Sequence, residues 1–203
     1  MTMTIPPVMR PSEEASEINP LIAGRWSSRA IDPALPVDDQ AMERIFEAAR
    51  WAPSAMNNQP WRILSLGPGD PDALERGRKT LTRGNAWALA APRLLFVLSR
   101  TDSLGGGAEN PRAKYEAGMA AVLMAIQAED EGLVFHQMAG FDAEALRREF
   151  SVPGNFTPIT AVAIGRPGPV DGVPEAKRDA ETAPRTRKSL DEIVFPDGSV
   201  PSE

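Results

Sequence analysis

The chain has 203 residues, 22 Lys and Arg against 28 Asp and Glu, a net charge of −6, no cysteine and one histidine. That length favours one compact unit with a real core, and the acidic balance argues against a general nucleic-acid or membrane-surface binder, which needs a basic excess over phosphates. Without cysteine there are no disulfides, thiolate metal sites or cysteine nucleophiles, and a metal site would rest on carboxylates and the lone ring of His136, so no metal is expected.

Residues 1–14 carry prolines and charge without the apolar run of a signal peptide, and no later stretch has the roughly 20 apolar residues of a membrane span. A flexible N-terminal tail on a soluble, cytoplasmic protein is expected, followed by a single domain over 15–195 and a C-terminal tail over 196–203. The first well-marked helix runs over 38–52, with Met42, Ile45, Phe46 and Ala49 on one face at three-and-four spacing, and stops at Pro53. Strands are expected at 61–66, 94–98, 133–136 and 159–164, each short and bounded by Gly, Pro or polar residues.

Between the second and third of these strands, Asn110 is the expected N-cap, Pro111 the first residue and Gly132 the stop of a long helix. Its stretch Ala117 to Ile126 is apolar on every side, which predicts burial all round. The small residues Ala117, Gly118, Ala121 and Ala125 fit either tight packing within one subunit or a dimer seam. A shorter helix should start at Asp142, with Glu144 in its first turn and Arg147 and Arg148 in its last, as the helix dipole favours. Residues 168–184 are rich in Pro, Gly and charge and read as an extension lying on a surface. Arg83 to Pro111, with its glycine loop at 105–107, leaves little room for a long lid between the two middle helices.

Three segments carry chemistry. Arg25-Trp26-Ser27-Ser28-Arg29 offers two guanidinium groups and two hydroxyls, which suits a phosphate monoester but also describes a solvated surface patch. Ala52 to Trp61 (APSAMNNQPW) gathers two prolines, two asparagines and a glutamine between helix and strand. It can present oriented polar groups to a planar heterocycle, or be a structural turn with Trp61 in the core. Arg185-Thr186-Arg187-Lys188 is a second basic cluster, free to converge on the first or to be an unrelated face.

Arg-x-Ser-x-Arg followed by Ala-Pro-Ser-Ala-x-Asn-x-Gln-Pro-Trp resembles the opening signature of the nitroreductase superfamily. Gly84-Asn85-Ala86-Trp87, Ala139-Gly140-Phe141-Asp142 and the closing Arg185-Thr186-Arg187 continue the resemblance, which covers Ile18 to Val194. It implies an α+β fold: a central, mixed and mainly antiparallel sheet flanked by helices, in an intertwined homodimer with 168–184 extended on the dimer surface. It further implies non-covalent FMN, NADH or NADPH as electron donor, ping-pong transfer of a hydride through flavin N5, and a small electron-poor acceptor such as a nitroaromatic or quinone.

Residue by residue, the resemblance places Arg25, Trp26, Ser27 and Arg29 at the FMN phosphate and pyrimidine side, with Arg29 near N1 and O2. Arg185 and Arg187 close on the phosphate. Pro53, Ser54, Ala55 and Asn57 are the second subunit's contribution, Asn85 serves the pyrimidine edge, and Met138, Ala139 and Gly140 are backbone passing N5 and O4. The flavin is the reactive centre and no side chain is required as a general base. Ala88 and Ala139 depart from family members that often carry a lysine and a glutamate there. The same scaffold also serves reductive dehalogenation and flavin breakdown, and a non-catalytic flavin carrier or sensor would share these binding residues.

Overall fold

A computed structural model describes residues 17–102, 109–196 and 198. The elements in chain order are α1 (Pro20–Gly24), β1 (Ile31–Asp32), α2 (Asp39–Arg50), β2 (Trp61–Leu66), α3 (Pro71–Lys79), β3 (Arg93–Arg100), α4 (Ala113–Asp130), β4 (Val134–Met138), α5 (Ala143–Phe150), β5 (Phe156–Pro167) and α6 (Glu175–Thr182). Short 3₁₀ turns lie at Ala55–Asn57, Arg83–Ala90, Val170–Gly172 and Leu190–Glu192. The expected glycine loop at 105–107 and the tail at 1–14 lie outside the described residues.

The five strands form one sheet in the order β1-β5-β3-β2, with β4 also pairing β5. Every pairing among the described residues is antiparallel, so the parallel component of the expected mixed sheet does not occur within these residues. β3 lies between β5 and β2 and is buried along Arg93 to Ser99, which explains its unbroken apolar run: both faces are covered. Leu95 and Val97 face α2 and α4, while Leu94, Phe96 and Leu98 belong to a second core with Leu74 of α3 and Leu146 of α5. The β3 and β5 register slips between Val97 and Leu98, where Leu98 meets Pro158, a residue with no N–H for the ladder.

α2 starts where Asp38 accepts a hydrogen bond from the Gln40 N–H, and it packs Met42, Ile45 and Ala49 against α4. α4 begins later than the sequence suggests. Asn110 caps a turn through the Arg112 N–H at 3.1 Å, and the helix proper starts at Ala113. It ends as expected at Gly132, whose φ of +66° lets the Leu133 N–H reach back to the Ala128 carbonyl at 2.8 Å.

Two expectations need correction. α4 is not buried all round: Ala117, Ala121 and Met124 lie in the core, but Tyr115 is 72% and Val122 52% exposed, with Gly118 between them on the same side. Nor is 168–184 a bare surface extension. It forms a 3₁₀ turn and then α6, and it buries Val173 and the carboxylate of Glu181 against its own protomer. No helix among the described residues is long and apolar enough to cross a membrane.

Candidate functional site

α1 places the first arginine. Asn19 accepts from the Leu21 N–H at 2.9 Å, Pro20 opens the helix, and the Arg25 N–H closes it on the Leu21 carbonyl. Beyond that cap the Arg25 guanidinium donates to Ser27 Oγ at 3.1 Å. The second basic cluster, far along the chain, arrives at the same place. Arg185 donates to the carbonyls of Ala23 at 2.6 Å and Arg25 at 3.1 Å, and its head lies 5.6 Å above the Trp26 ring.

Burial pushes the Arg25 and Arg185 guanidinium groups below their ordinary values, and the positive charge of Arg187 acts on both in the same direction. Glu129 of α4 opposes this, itself pushed up by burial. Three cations therefore meet beside a partly desolvated carboxylate. Trp26 Nε1 is buried there with no hydrogen-bond partner among the described residues. A phosphate monoester, dianionic and rich in acceptors, matches this donor set. The convergence of the two basic clusters, left open by the sequence, is thus realised.

Arg29 closes the other end of the segment. Glu181 of α6, with no exposed side-chain surface, accepts from Ser28 Oγ at 2.8 Å and the Arg29 N–H at 3.1 Å through Oε2, and from Arg29 Nη1 at 3.0 Å through Oε1. Arg29 Nε is buried without a partner, and the guanidinium lies 6.0 Å from the Trp87 ring. Trp87 in turn packs on His136 of β4 at 4.5 Å between ring centroids. His136 Nδ1 lies 2.9 Å from the Ser28 carbonyl, and because a carbonyl only accepts, Nδ1 carries the proton. Burial pushes the imidazole below its ordinary value. The charge of Arg29 adds to that effect, while the Ser28 carbonyl and Glu181 resist it. A neutral, packed histidine follows.

Two residues before Trp87, Asn85 donates to the Gly140 carbonyl at 2.8 Å, alongside the Thr82 hydroxyl at 3.0 Å. A Cβ on Gly140 would stand 2.6 Å from both side chains, so this close approach requires glycine. Asn85 and Gly140 are therefore brought together as neighbours. Met138 buries its side chain in the core and gives its carbonyl to the Thr160 hydroxyl at 3.1 Å, while Ala139 is exposed.

The loop after α2 stands apart. Met56, Asn57 and Gln59 all adopt positive φ, of 53°, 55° and 44°. Ser54 Oγ accepts from the Gln59 N–H at 2.9 Å, Gln59 donates to Asn57 Oδ1 at 2.9 Å, and Glu116 of α4 accepts from the Ala55 N–H at 2.8 Å. Pro53, Ala55, Met56 and Asn57 are exposed, and no described hydrogen bond joins this loop to Arg25 or Arg29 within the protomer. Two open clefts of about 490 and 430 Å³ flank β2, and none of the expected site residues lines either.

Sequence reasoning missed Glu181, Glu129 and Glu116. Glu116 did leave a signal, as an acid inside an otherwise apolar helical stretch; Glu181 left none, because only tertiary contact distinguishes it from the other acids of its segment.

An antiparallel α+β protein in which two distant arginine clusters meet beside a buried indole N–H is the class that fold and site define. The family model described as the nitroreductase family matches residues 22–166. The chain belongs to that family. A solved oxidoreductase containing FMN is 32% identical, with 92% of this chain and 94% of that one aligned at a TM-score of 0.84. A Streptomyces coelicolor protein provisionally named NADH dehydrogenase/NAD(P)H nitroreductase is 28% identical over 163 residues, covering 70% of this chain and 82% of its own. A nitroreductase family protein from Clostridium difficile is 22% identical with a TM-score of 0.68, covering 88% of this chain and 97% of its own, and shares the fold.

Proposed function

We propose that this protein is an FMN-dependent oxidoreductase that takes a hydride from NADH or NADPH and delivers it to a small electron-poor acceptor such as a nitroaromatic or a quinone. The observation that carries the reading is the meeting of Arg25, Arg185 and Arg187 beside the buried Nε1 of Trp26, a donor set that fits the phosphate of FMN. The FMN content of the 32% identical relative supports the same group. When bound, the flavin supplies hydride transfer at N5 to whichever partner enters the space above its ring, which gives ping-pong kinetics.

The chain's own residues hold and orient. Arg25, Ser27, Arg185 and Arg187 bind the phosphate end, with Trp26 as the wall beneath Arg185. Arg29 supplies positive charge toward the pyrimidine side, where an extra electron pair is best stabilised. Asn85 serves the pyrimidine edge and the backbone of Met138, Ala139 and Gly140 passes N5 and O4, the two held together by the Asn85 to Gly140 hydrogen bond.

The open stripe Tyr115, Gly118 and Val122 on α4 and the 97% exposed Met56 beside it in the loop after α2 favour a second copy of the chain as the missing cover. In that homodimer Pro53, Ser54, Ala55 and Asn57 complete the partner's site, and each protomer receives the same contribution in return. Residues 15–195 act as one FMN-binding domain.

The visible spectrum of the purified protein, followed under anaerobic addition of NADH or NADPH, tests the reading. A yellow protein bleached by one donor and re-oxidised by a quinone is the expected result. A colourless protein that cannot be reconstituted with FMN would overturn it, and a yellow one bleached by neither donor would leave a flavin carrier.

A further inference from the structure

Glu181 is a fully buried carboxylate that binds from α6 onto the segment proposed to hold the flavin. It makes three contacts there: one with the Ser28 hydroxyl, one with the Arg29 backbone and one with Arg29 Nη1. Four residues on, Arg185 grips the carbonyls of Ala23 and Arg25. Residues 181–185 therefore staple 23–29 at both ends, with opposite charges at the two ends. α6 is itself fixed, since Arg178 donates to the carbonyls of Val173 at 2.9 Å and Asp171 at 2.8 Å, and Val173 is buried. Removing a carboxylate from water costs several kcal/mol unless its oxygens are fully satisfied, and here both oxygens are occupied by the Ser28 and Arg29 donors.

Resting on the flavin reading above, we infer that Glu181 is a positioning residue that fixes Arg29 and sets how much of its positive charge the cofactor's pyrimidine side feels. The carboxylate works in two ways. It anchors one arm of the guanidinium, so the head has a defined place beside Trp87. It also offsets part of the Arg29 charge at contact distance, which weakens the stabilisation of the negative charge that reduction places on the ring. Neutralising Glu181 therefore makes the bound cofactor easier to reduce. Glutamine in its place keeps either the contacts at Oε2 or the one at Oε1, because its amide nitrogen accepts nothing.

The test is the two-electron midpoint potential of bound FMN in wild type, Glu181→Gln, Arg29→Gln and the double variant. Glu181→Gln is expected to shift the equilibrium toward the reduced form about tenfold, which is about 30 mV more positive. The shift shrinks in the Arg29→Gln background, since the part that works by placing the guanidinium is lost while the direct charge of the carboxylate remains. A readout free of cofactor runs beside it: the chain's one histidine, His136, is followed by NMR in the flavin-free protein, and its titration moves down when Glu181 loses its charge. Should Glu181→Gln fold poorly, Ser28→Ala removes one of the contacts that hold the carboxylate, and a smaller shift of the same sign is expected. An unchanged or more negative potential with FMN still bound overturns the inference, as does a full shift in the Arg29→Gln background. A wild type that binds no FMN overturns the function beneath it instead.

Discussion

Replacing Arg185 by glutamine separates phosphate recognition from every other contribution to flavin binding. The guanidinium makes two hydrogen bonds to backbone carbonyls, at 2.6 and 3.1 Å, and stands with Arg25 and Arg187 in one cluster. A hydrogen bond with a charged donor is worth about 1.5–3 kcal/mol. Because the head is half-buried and water competes for it, the lower end applies to folding, and the melting temperature of the flavin-free protein should fall by roughly 3–6 °C. For the ligand, loss of one charged contact to phosphate predicts a drop in FMN affinity of about 10 to 100-fold at 1.4 kcal/mol per tenfold. Arg25 and Arg187 remain in the cluster, which pulls the loss toward the tenfold end. Fluorescence titration of the flavin-free protein with FMN and with riboflavin, which has the same ring without the phosphate, provides the assay. FMN should weaken and lose part of its salt dependence, while riboflavin stays near its wild-type affinity. Equal losses for both ligands, or none for FMN, would refute the phosphate assignment.

His136 titrates below its ordinary value in the folded chain, so its contribution to stability is complete above about pH 6.5 and is lost as pH falls toward the folded value. Melting curves of the flavin-free protein between pH 8 and pH 5 should show that decline, and His136→Gln should flatten it; an undiminished slope in the variant would assign the decline elsewhere. Phe96→Ala removes the largest fully buried side chain, at the centre of the sheet, and should cost about 3–5 kcal/mol in denaturant unfolding, with a loss under about 1 kcal/mol contradicting the packing described. Gly140→Ala drives a methyl into Asn85 and Thr82 and should cost about 1–3 kcal/mol, weakening riboflavin and FMN alike because it disturbs the ring side rather than the phosphate side. An unchanged melting temperature for that variant would mean the two side chains yield freely.

The elements that sequence alone made legible are those whose burial repeats along the chain. β2 spans Trp61–Leu66 as expected, and the apolar run of β3 marks a strand covered on both faces. α3 carried readable signals, with Asp70 as N-cap, Pro71 in the first turn and Arg76, Arg78 and Lys79 in the last, yet its short apolar stripe was overlooked. β1 has two residues and exists only because β5 holds it, so no local pattern announces it. α6 was hidden by the Pro and Gly around it. The site divides in the same way: Arg25, Ser27, Asn85 and Gly140 belong to motifs that survive in the sequence, whereas Glu181 and Glu129 gain their role from burial beside arginines supplied by other parts of the chain.

The open face of α4 shows why composition overstated burial. A helix apolar on all sides has no preferred solvent side, and within one protomer the sheet and α2 cover only one flank, leaving Tyr115 and Val122 outside. An apolar partner closing the other flank would give that stripe the burial its composition asks for, which is the place the proposed homodimer assigns to a second copy.

Charge at the site follows a related logic. Ala88, where family members often carry a lysine, is wholly buried beside Trp87 in the second core, a place where an ammonium group would stand without water or partner. In the proposed flavin site the cation toward the ring is Arg29, and its carboxylate partner comes not from Ala139, which is exposed and uncharged, but from α6. A site whose single ring-side cation is already matched to a buried acid offers less positive field than one with two free cations. A flavin bound there should be harder for the donor to reduce and, once reduced, the stronger reductant, since less of the stabilisation of the reduced ring comes from the protein.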